Sequence, residues 1–109
     1  MIDAEIPQRL LKGITVGSLW MYVLTVLLNN PSYPYDVRKM IKEKFGFEPP
    51  IVTLYTTFYR LEREGLIRKE EGVYKVTMDG LRILRSAIQV LRRLADVLDE
   101  SSKHVSMEQ

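Results

Sequence analysis

The sequence contains no cysteine and a single histidine, His104, among its 109 residues. Without cysteine, neither a disulfide framework nor a thiolate zinc site can form. One histidine in a polar C-terminal segment also excludes histidine-dependent catalytic triads and zinc sites that need several histidines. The sequence has no Gly-rich phosphate loop and no nucleophile constellation either. We therefore predict neither an enzyme nor a metal or cofactor site.

The chain also lacks an apolar run long enough to cross a membrane. Residues 14–28 carry no charge, but this run is shorter than the roughly 20 residues that a spanning helix needs. The acidic residues Asp3 and Glu5 precede it, and no small-residue cleavage pattern is present, which argues against a signal peptide. We expect a soluble cytoplasmic protein with no membrane association.

The net charge is only +2, but the charge is unevenly distributed along the chain. Residues 38–93 hold 13 Lys/Arg against 7 Asp/Glu, a balance of +6, whereas residues 1–37 sum to −1 and residues 94–109 to −3. A basic middle segment predicts a surface that attracts phosphate groups. The alternative is a basic surface that only faces solvent, and charge alone does not distinguish the two.

Residues 53–77 predict a helix that is followed directly by a β-hairpin. Leu54, Phe58 and Leu61 recur at helical spacing, and Gly65 stands where such a helix would end. Residues 66–67 and 73–76 are short β-type segments joined at Glu71 and Gly72. A recognition helix with a charged hairpin beside it is the arrangement of a winged helix, which places the helix in the DNA major groove.

Two further helices are predicted upstream. Residues 19–29 are apolar almost all round, with Ser18 as a candidate N-cap, so this helix must be covered on several sides. Pro34 begins a second helix after a turn at residues 29–32, and Gly46 ends it. The predicted fold class is mainly α with a small β-hairpin, a winged helix-turn-helix with a long C-terminal dimerisation helix.

The last helix, predicted from Met78 to about Glu100 with Thr77 as its cap, has a heptad pattern. One apolar stripe recurs at spacings of 3-4-3-4-3, and a second stripe beside it makes the face too wide for one contact. We predict a dimer interface there, with the broad core helix of a monomer as the alternative. The predicted interface residues are Trp20, Leu84, Ile88, Leu91, Ala95 and Leu98.

This pattern divides the chain into three parts within one structural domain. Residues 1–77 form the winged-helix DNA-binding region with its N-terminal helix, residues 78–100 the dimerisation helix, and residues 101–109 a flexible tail. We also expect the first nine residues to be loosely structured.

The motifs, in this order, resemble the PadR family of transcriptional regulators in the short form with a single C-terminal helix. Residues 30–37 (NPSYPYDV) match the Pro, Tyr, acidic and aliphatic positions of the family's second-helix motif. Residues 53–55 (TLY) resemble the opening of its recognition helix, residues 61–67 (LEREGLI) its end, and residues 74–80 (YKVTMDG) the start of its last helix. The wing departs from the family pattern because it is short and carries Glu70 and Glu71 near its tip.

The predicted DNA contacts lie on three elements. Threonine hydroxyls and free N–H groups at the start of the recognition helix suit phosphate oxygens, and threonine methyls suit thymine. Arg60 suits a guanine edge or a phosphate, whereas the acidic wing tip argues against insertion into the minor groove. The predicted DNA-binding residues are Tyr35, Arg38, Lys42, Thr53, Tyr55, Thr56, Thr57, Arg60, Arg63, Lys69 and Lys75.

Two functional interpretations follow. The favoured one is a homodimeric transcriptional regulator that binds double-stranded DNA at a pseudo-palindromic operator and acts as a repressor. The alternative is a winged-helix protein-interaction module without direct DNA readout. Trp20 also has two interpretations, since the resemblance implies a small aromatic effector beside it, whereas a packing role is the ordinary use of a buried tryptophan.

Overall fold

The computed structural model describes residues 5–105, and within that range it contains five α-helices and one antiparallel hairpin. The hairpin lies between the fourth and fifth helices. The elements are α1 (Gln8–Leu11), α2 (Leu19–Asn29), α3 (Pro34–Phe45), α4 (Ile51–Arg63), β1 (Ile67–Glu70), β2 (Val73–Val76) and α5 (Met78–Ser102). This confirms the predicted fold class, a mainly helical winged helix with a small β-hairpin.

The helix ends follow local sequence signals, with one exception. Pro34 occupies the first turn of α3, and Gly46 ends that helix in the left-handed conformation, as predicted. Ser18 precedes α2 but does not cap it, because its hydroxyl donates instead to the Gly13 carbonyl at 3.0 Å. The chain before α2 is wound into two 3₁₀ turns, and these bring that upstream carbonyl within reach.

The wing turns at Glu71 and Gly72, as predicted, but its first strand, Ile67–Glu70, is longer than predicted and the hairpin is better anchored. Ile67 pairs with Val76 and Glu70 with Val73, and Glu71 and Gly72 both have positive φ, which defines a type I′ turn. Ser32 forms an additional antiparallel bridge with Tyr74, through N–H···O bonds of 3.2 and 2.9 Å. This bridge joins the segment before α3 to the hairpin, and sequence reasoning had assigned that segment only to a turn.

The core is assembled around α2, which packs against α3, α4, α5 and β2. Leu54, Phe58 and Leu61 of α4 are buried in it, as the helical spacing predicted. The other buried apolar side chains are Leu19, Val23, Leu24, Val26, Leu27, Val37, Ile41, Ile67 and Leu84. These four elements bury one side of α2, whereas Trp20, Met21 and Tyr22 are half-buried and Leu28 is exposed.

Together, α2 and the turns before it form a long hydrophobic run. The helical run Gln8–Asn29 has 22 residues and a mean hydropathy of 1.6, which by length and composition would allow it to cross a membrane. It is longer than the uncharged segment seen in the sequence because the turns before α2 are also helical. The run includes Leu19, Val23 and Leu24, which are buried in the domain core, and 33% of its most apolar window is buried.

The junction between the wing and α5 is a dense hydrogen-bonded corner. The Thr77 hydroxyl donates to the Gly65 carbonyl at 2.7 Å and accepts from the Gly80 N–H at 3.0 Å, so it caps α5 as predicted. The Thr77 N–H also donates to the Leu66 carbonyl at 3.1 Å. Gly80 is required here, because a Cβ at this position would lie 2.1 Å from the Leu66 carbonyl oxygen.

Only the first part of α5 belongs to the core. Gly80 and Leu84 are its buried residues, and every residue from Ile88 onward is exposed. At 25 residues, the helix is roughly 37 Å long, which accounts for the elongated shape of 60 × 26 × 21 Å. It ends at Ser102, two residues beyond the predicted end. The rest of the predicted tail includes residues 106–109, which lie outside the described range, as do residues 1–4 of the predicted loose N-terminus.

Candidate nucleic-acid interface

The outer face of α4 points away from the core. Because Leu54, Phe58 and Leu61 point inward, the opposite side of the helix presents a row spaced by four, three and four residues. Its members are Val52, Thr56, Tyr59 and Arg63, all of them exposed, with Val52 at 74% and Tyr59 at 63%. Val52 was missed from the sequence because the helix was predicted to open at Thr53, whereas it begins at Ile51. Tyr59 lies inside the predicted helix and was not among the predicted DNA-binding residues.

Two arginines on this face are free to bind anions. Arg60 and Arg63 are exposed, and among residues 5–105 no carboxylate lies within ion-pair distance of either. The Arg63 guanidinium lies 5.6 Å from the ring centroid of Tyr59, a cation–π distance. These side chains therefore present two positive charges on one helix face, uncompensated within the described residues.

The threonines of α4 are oriented differently from the sequence prediction. Thr53 and Thr57 are half-buried at the side of the helix, and the Thr57 hydroxyl donates to the Thr53 carbonyl at 2.8 Å. The Thr56 hydroxyl donates to the Val52 carbonyl at 2.9 Å. Both hydroxyl protons are therefore donated within the helix. The group that exposed Thr56 presents to solvent is then its methyl.

The N-terminus of α4 keeps free backbone donors. Pro50 is its N-cap residue and supplies no side-chain cap, while its carbonyl accepts the first intrahelical bond, from the Leu54 N–H at 3.0 Å. The N–H groups of the first turn thus point out of the helix end without a side-chain acceptor. Together with the helix dipole, they favour an anion such as a phosphate at this position.

On α3, the predicted phosphate contacts divide into two groups. Tyr35 and Lys42 are exposed, and so is Lys39, whose ammonium lies 4.8 Å from the ring centroid of Tyr35. Arg38 is different: it is 29% exposed, donates to the Pro49 carbonyl at 2.7 Å and pairs with Glu48 at 3.6 Å. Its guanidinium holds the connector between α3 and α4 in place, a structural role that the sequence did not indicate, and its DNA contact stays a prediction.

Charges on the wing largely compensate one another. Glu70 pairs with both Arg68 and Lys75, so the prediction of Lys75 as a free phosphate contact does not fit its surroundings. Lys69 stays exposed, 5.7 Å from the ring centroid of Tyr74. The Tyr74 ring packs on Phe58 at 5.0 Å. Burial raises the pKa of Tyr74 above its ordinary value, and the charge of Glu62 raises it further, so its phenol stays protonated at neutral pH.

The sequence model of the PadR-like family of transcriptional regulators matches residues 23–86, which is more than half of the chain. The chain belongs to this family. Its members are transcriptional regulators rather than enzymes, and the chain has their winged-helix DNA-binding fold. No curated protein matches the chain.

Solved structures agree with this membership. A PadR family transcriptional regulator from Eggerthella lenta has a TM-score of 0.76 and 27% identity, over 89% of this chain and 92% of that one. A transcriptional regulator from Clostridium thermocellum has a TM-score of 0.69 and 26% identity, over 83% and 95% of the two chains. A PadR family regulator from Clostridium difficile, at 22% identity and a TM-score of 0.65 over 74% and 94%, is similar in fold.

The predicted interface residues of this PadR-like chain fall into two environments. Ile88, Leu91, Ala95 and Leu98 are exposed on α5, and Leu91 keeps 45% of its surface accessible. Leu84 is only 6% exposed and belongs to the protomer's own core cluster. It is therefore removed from the predicted interface, because α5 is covered by its own domain up to that turn.

Trp20 borders an open groove rather than a closed pocket. The groove, about 750 Å³ in volume, runs between the start of α2, the side of α4 and Ile83 of α5. Trp20 is half-buried against the core, and the groove also includes Thr53, Thr57 and Arg60. The comparisons give no support to an aromatic effector here. Trp20 packs against the hydrophobic core.

Proposed function

We propose that this regulator binds an operator in double-stranded DNA as a homodimer and represses transcription by occupying the promoter. The observation that carries the proposal is the outer face of α4, where two uncompensated arginines flank an exposed tyrosine. An α-helix fits the major groove, and there Arg60 or Arg63 can donate two hydrogen bonds to a guanine edge. The Thr56 methyl and Val52 can contact thymine methyl groups.

Groups around α4 supply sequence-independent contacts to the DNA backbone. The free N–H groups at the start of α4 and the exposed Tyr35, Lys39 and Lys42 of α3 suit phosphate oxygens. On the wing, Lys69 is the exposed cation without a carboxylate partner within residues 5–105. Because Glu70 and Glu71 surround the turn, we expect the wing to touch the backbone and not to enter the minor groove.

The homodimer is supported by the exposed apolar half of α5. Ile88, Leu91, Leu94, Val97 and Leu98 are all between 38% and 61% accessible, on a helix that extends beyond the domain. A contiguous apolar patch of this kind marks an interface in a soluble protein. A C2 dimer would place two α4 helices on one side of the duplex, so the operator should be a pseudo-palindrome with half-sites about one helical turn apart.

Repression needs no further surface, since occupancy of promoter DNA is enough to exclude the transcription machinery. Such a protein acts where the chromosome is accessible, so we place it in the cytoplasm. The buried face of α2 supports a soluble state.

The test uses DNA fragments selected by the protein from a random pool, with affinity measured by fluorescence anisotropy at low and physiological salt. We expect affinity to fall steeply as salt rises, because lysine and arginine contacts release counterions. Binding that is flat with salt would contradict DNA recognition and favour the protein-interaction module.

The residue-level test is Arg63→Ala, with Arg60→Ala beside it. A base-reading arginine should lose about 1–3 kcal/mol of operator affinity and part of its discrimination against random DNA. A phosphate contact should instead weaken both DNAs equally and lower the salt slope by about one. Lys44→Ala is the matched control, because it removes the same charge in a separate groove beside α2 and α3. Unchanged affinity in both arginine variants would refute the placement of α4.

A further inference from the structure

The charges on α5 are segregated along the helix. Its first part carries Arg82, Arg85, Arg92 and Arg93, whereas its last turns carry Asp96, Asp99 and Glu100. All seven side chains are exposed. The intrahelical pairs that the structure contains are Arg82 with Asp79 and, near the end, Lys103 with Asp99 and His104 with Glu100. Among residues 5–105, Arg85, Arg92 and Arg93 therefore have no carboxylate partner and keep uncompensated charges along the apolar stripes.

This segregation discriminates between the two ways in which two α5 helices can pair. A parallel pair would place the arginine segment against the partner's arginine segment and the acidic turns against the acidic turns. An antiparallel pair brings the start of each arginine segment, at Arg85, toward the partner's acidic last turns, and the helix dipoles also oppose one another favourably. Charges that flank an apolar seam set the orientation of paired helices.

We propose that the α5 helices of two copies pair antiparallel, with Leu91 opposite the partner's Ala95 and Ile88 opposite the partner's Leu98. This pairing rests on the proposed homodimer and specifies its register. The same register brings Arg85 beside the partner's Asp99 on the flank of the seam. The two-fold symmetry forms each of these contacts twice.

Shifting the register by one heptad in either direction is less favourable. One shift sets Arg85 against the partner's Arg92 and requires Leu84, which is already buried in its own core. The other shift sets Leu91 against the partner's Ser102 and leaves Ile88 opposite a position beyond the end of the helix at Ser102. The proposed register covers all four exposed residues of the stripe with apolar partners. Its cost is that the two Arg92 side chains meet near the axis, where their length allows the guanidinium groups to reach solvent.

The absence of native cysteine allows a direct test by cross-linking with a short bismaleimide. The variant Ile88→Cys/Leu98→Cys should form a covalent dimer rapidly, because each thiol faces its counterpart across the seam. The single variants Ile88→Cys and Leu98→Cys are the controls. In the proposed register their identical thiols lie ten residues apart along the axis, roughly 15 Å, so they should cross-link slowly.

Sedimentation of the same samples separates the ways in which the proposal can fail. Single variants that cross-link as fast as the double variant would show a parallel pair and overturn the proposal. A sedimenting dimer in which the double variant does not cross-link would also overturn it, while leaving the homodimer intact. A wild-type chain that sediments as a monomer at micromolar concentration would defeat the homodimer itself. These outcomes depend only on cross-linking and sedimentation, so a loss of DNA affinity would not change the conclusion about the register.

Charge reversal provides a second test that leaves the seam untouched. Arg85→Asp and Asp99→Arg each turn two attractive contacts into repulsive ones and should weaken dimerisation roughly tenfold at low salt. The combined Arg85→Asp/Asp99→Arg variant should restore most of the affinity, because the opposite charges face each other again. Failure of the combination to recover would overturn the pairing of these two residues.

Discussion

Gly80→Ala is the substitution whose effect the structure determines most directly. A Cβ on residue 80 would lie 2.1 Å from the Leu66 carbonyl oxygen, 2.8 Å from Cγ1 of Val76 and 3.1 Å from the Leu66 carbonyl carbon. Even close Cα–H···O contacts keep carbon and oxygen about 3.3 Å apart, so the strand end and α5 must separate by about 1 Å. Two of the three nearest atoms are backbone, and no rotamer change can relieve that overlap.

The separation disturbs the hydrogen bonds of the whole corner. The Leu66 carbonyl accepts the Thr77 N–H at 3.1 Å, and the Gly80 N–H is the group that the Thr77 hydroxyl caps. Overpacking costs about 1–3 kcal/mol, and a lost hydrogen bond and a lost cap cost about 1 kcal/mol each. Alanine regains about 1 kcal/mol through its higher helix propensity. The net loss is therefore about 2–4 kcal/mol, a large share of the stability of a small domain.

The assay is urea unfolding followed by circular dichroism and by the fluorescence of Trp20, at one fixed protein concentration because a dimer's stability depends on it. Gly13→Ala is the matched control, since a Cβ there meets nothing within 4 Å and should be neutral or slightly stabilising. At these magnitudes the melting temperature of Gly80→Ala should fall by roughly 10–25 °C. Equal stability of the two variants would refute the description of this corner.

Three other outcomes follow from the same contacts. Leu91→Arg places a charge in the α5 seam and should give a monomeric or unfolded product with reduced DNA affinity, whereas a well-folded dimer with undiminished binding would contradict the seam. Arg38→Ala removes the bond to the Pro49 carbonyl and should cost about 1 kcal/mol of stability with little change in DNA affinity, and a binding defect without a stability defect would contradict its structural role. Burial raises the folded-state pKa of Tyr22 and of Tyr74 above the ordinary 10.0. The protonated phenols therefore stabilise the fold below pH 10, and this contribution disappears as the pH rises through the folded-state pKa values. Melting temperatures that stay flat to pH 11 would argue against it.

The features that were predictable from sequence are those with local signals. Gly46 and Gly65 have positive φ at the ends of α3 and α4, and Gly72 has it in the hairpin turn. Thr77 caps the helix that it was predicted to cap. The apolar spacing of α4 predicted its buried face correctly. Each of these signals depends on residues within a few positions of one another, so a single sequence contains the information needed.

The features that were not predictable depend on contacts between distant segments. The bridge between Ser32 and Tyr74 joins residues more than forty positions apart, and no local sequence signal near Ser32 predicts it. In the sequence, Arg38 resembles a phosphate contact. Only the folded connector places the Pro49 carbonyl within hydrogen-bond distance of its guanidinium. Leu84 shares a stripe with Leu91, but only the packing of α2 against α5 decides which of the two is covered. Helical spacing identifies a face and does not identify what covers it.

The corner at Thr77 connects the two surfaces on which the proposed function depends. Its hydroxyl links the Gly65 carbonyl, just beyond α4, to the first turn of α5, and Gly80 allows α5 to approach the Leu66 backbone closely. The angle between the DNA-facing helix and the pairing helix is therefore set within a few residues. Since α5 is roughly 37 Å long, a change of about 5° at this corner displaces its far end by roughly 3 Å. In a C2 dimer that displacement acts in both protomers and alters the separation of the two α4 helices, and hence the half-site spacing that the dimer can read. A substitution at Gly80 or Thr77 should therefore alter operator selectivity as well as stability, although neither residue lies on the outer face of α4.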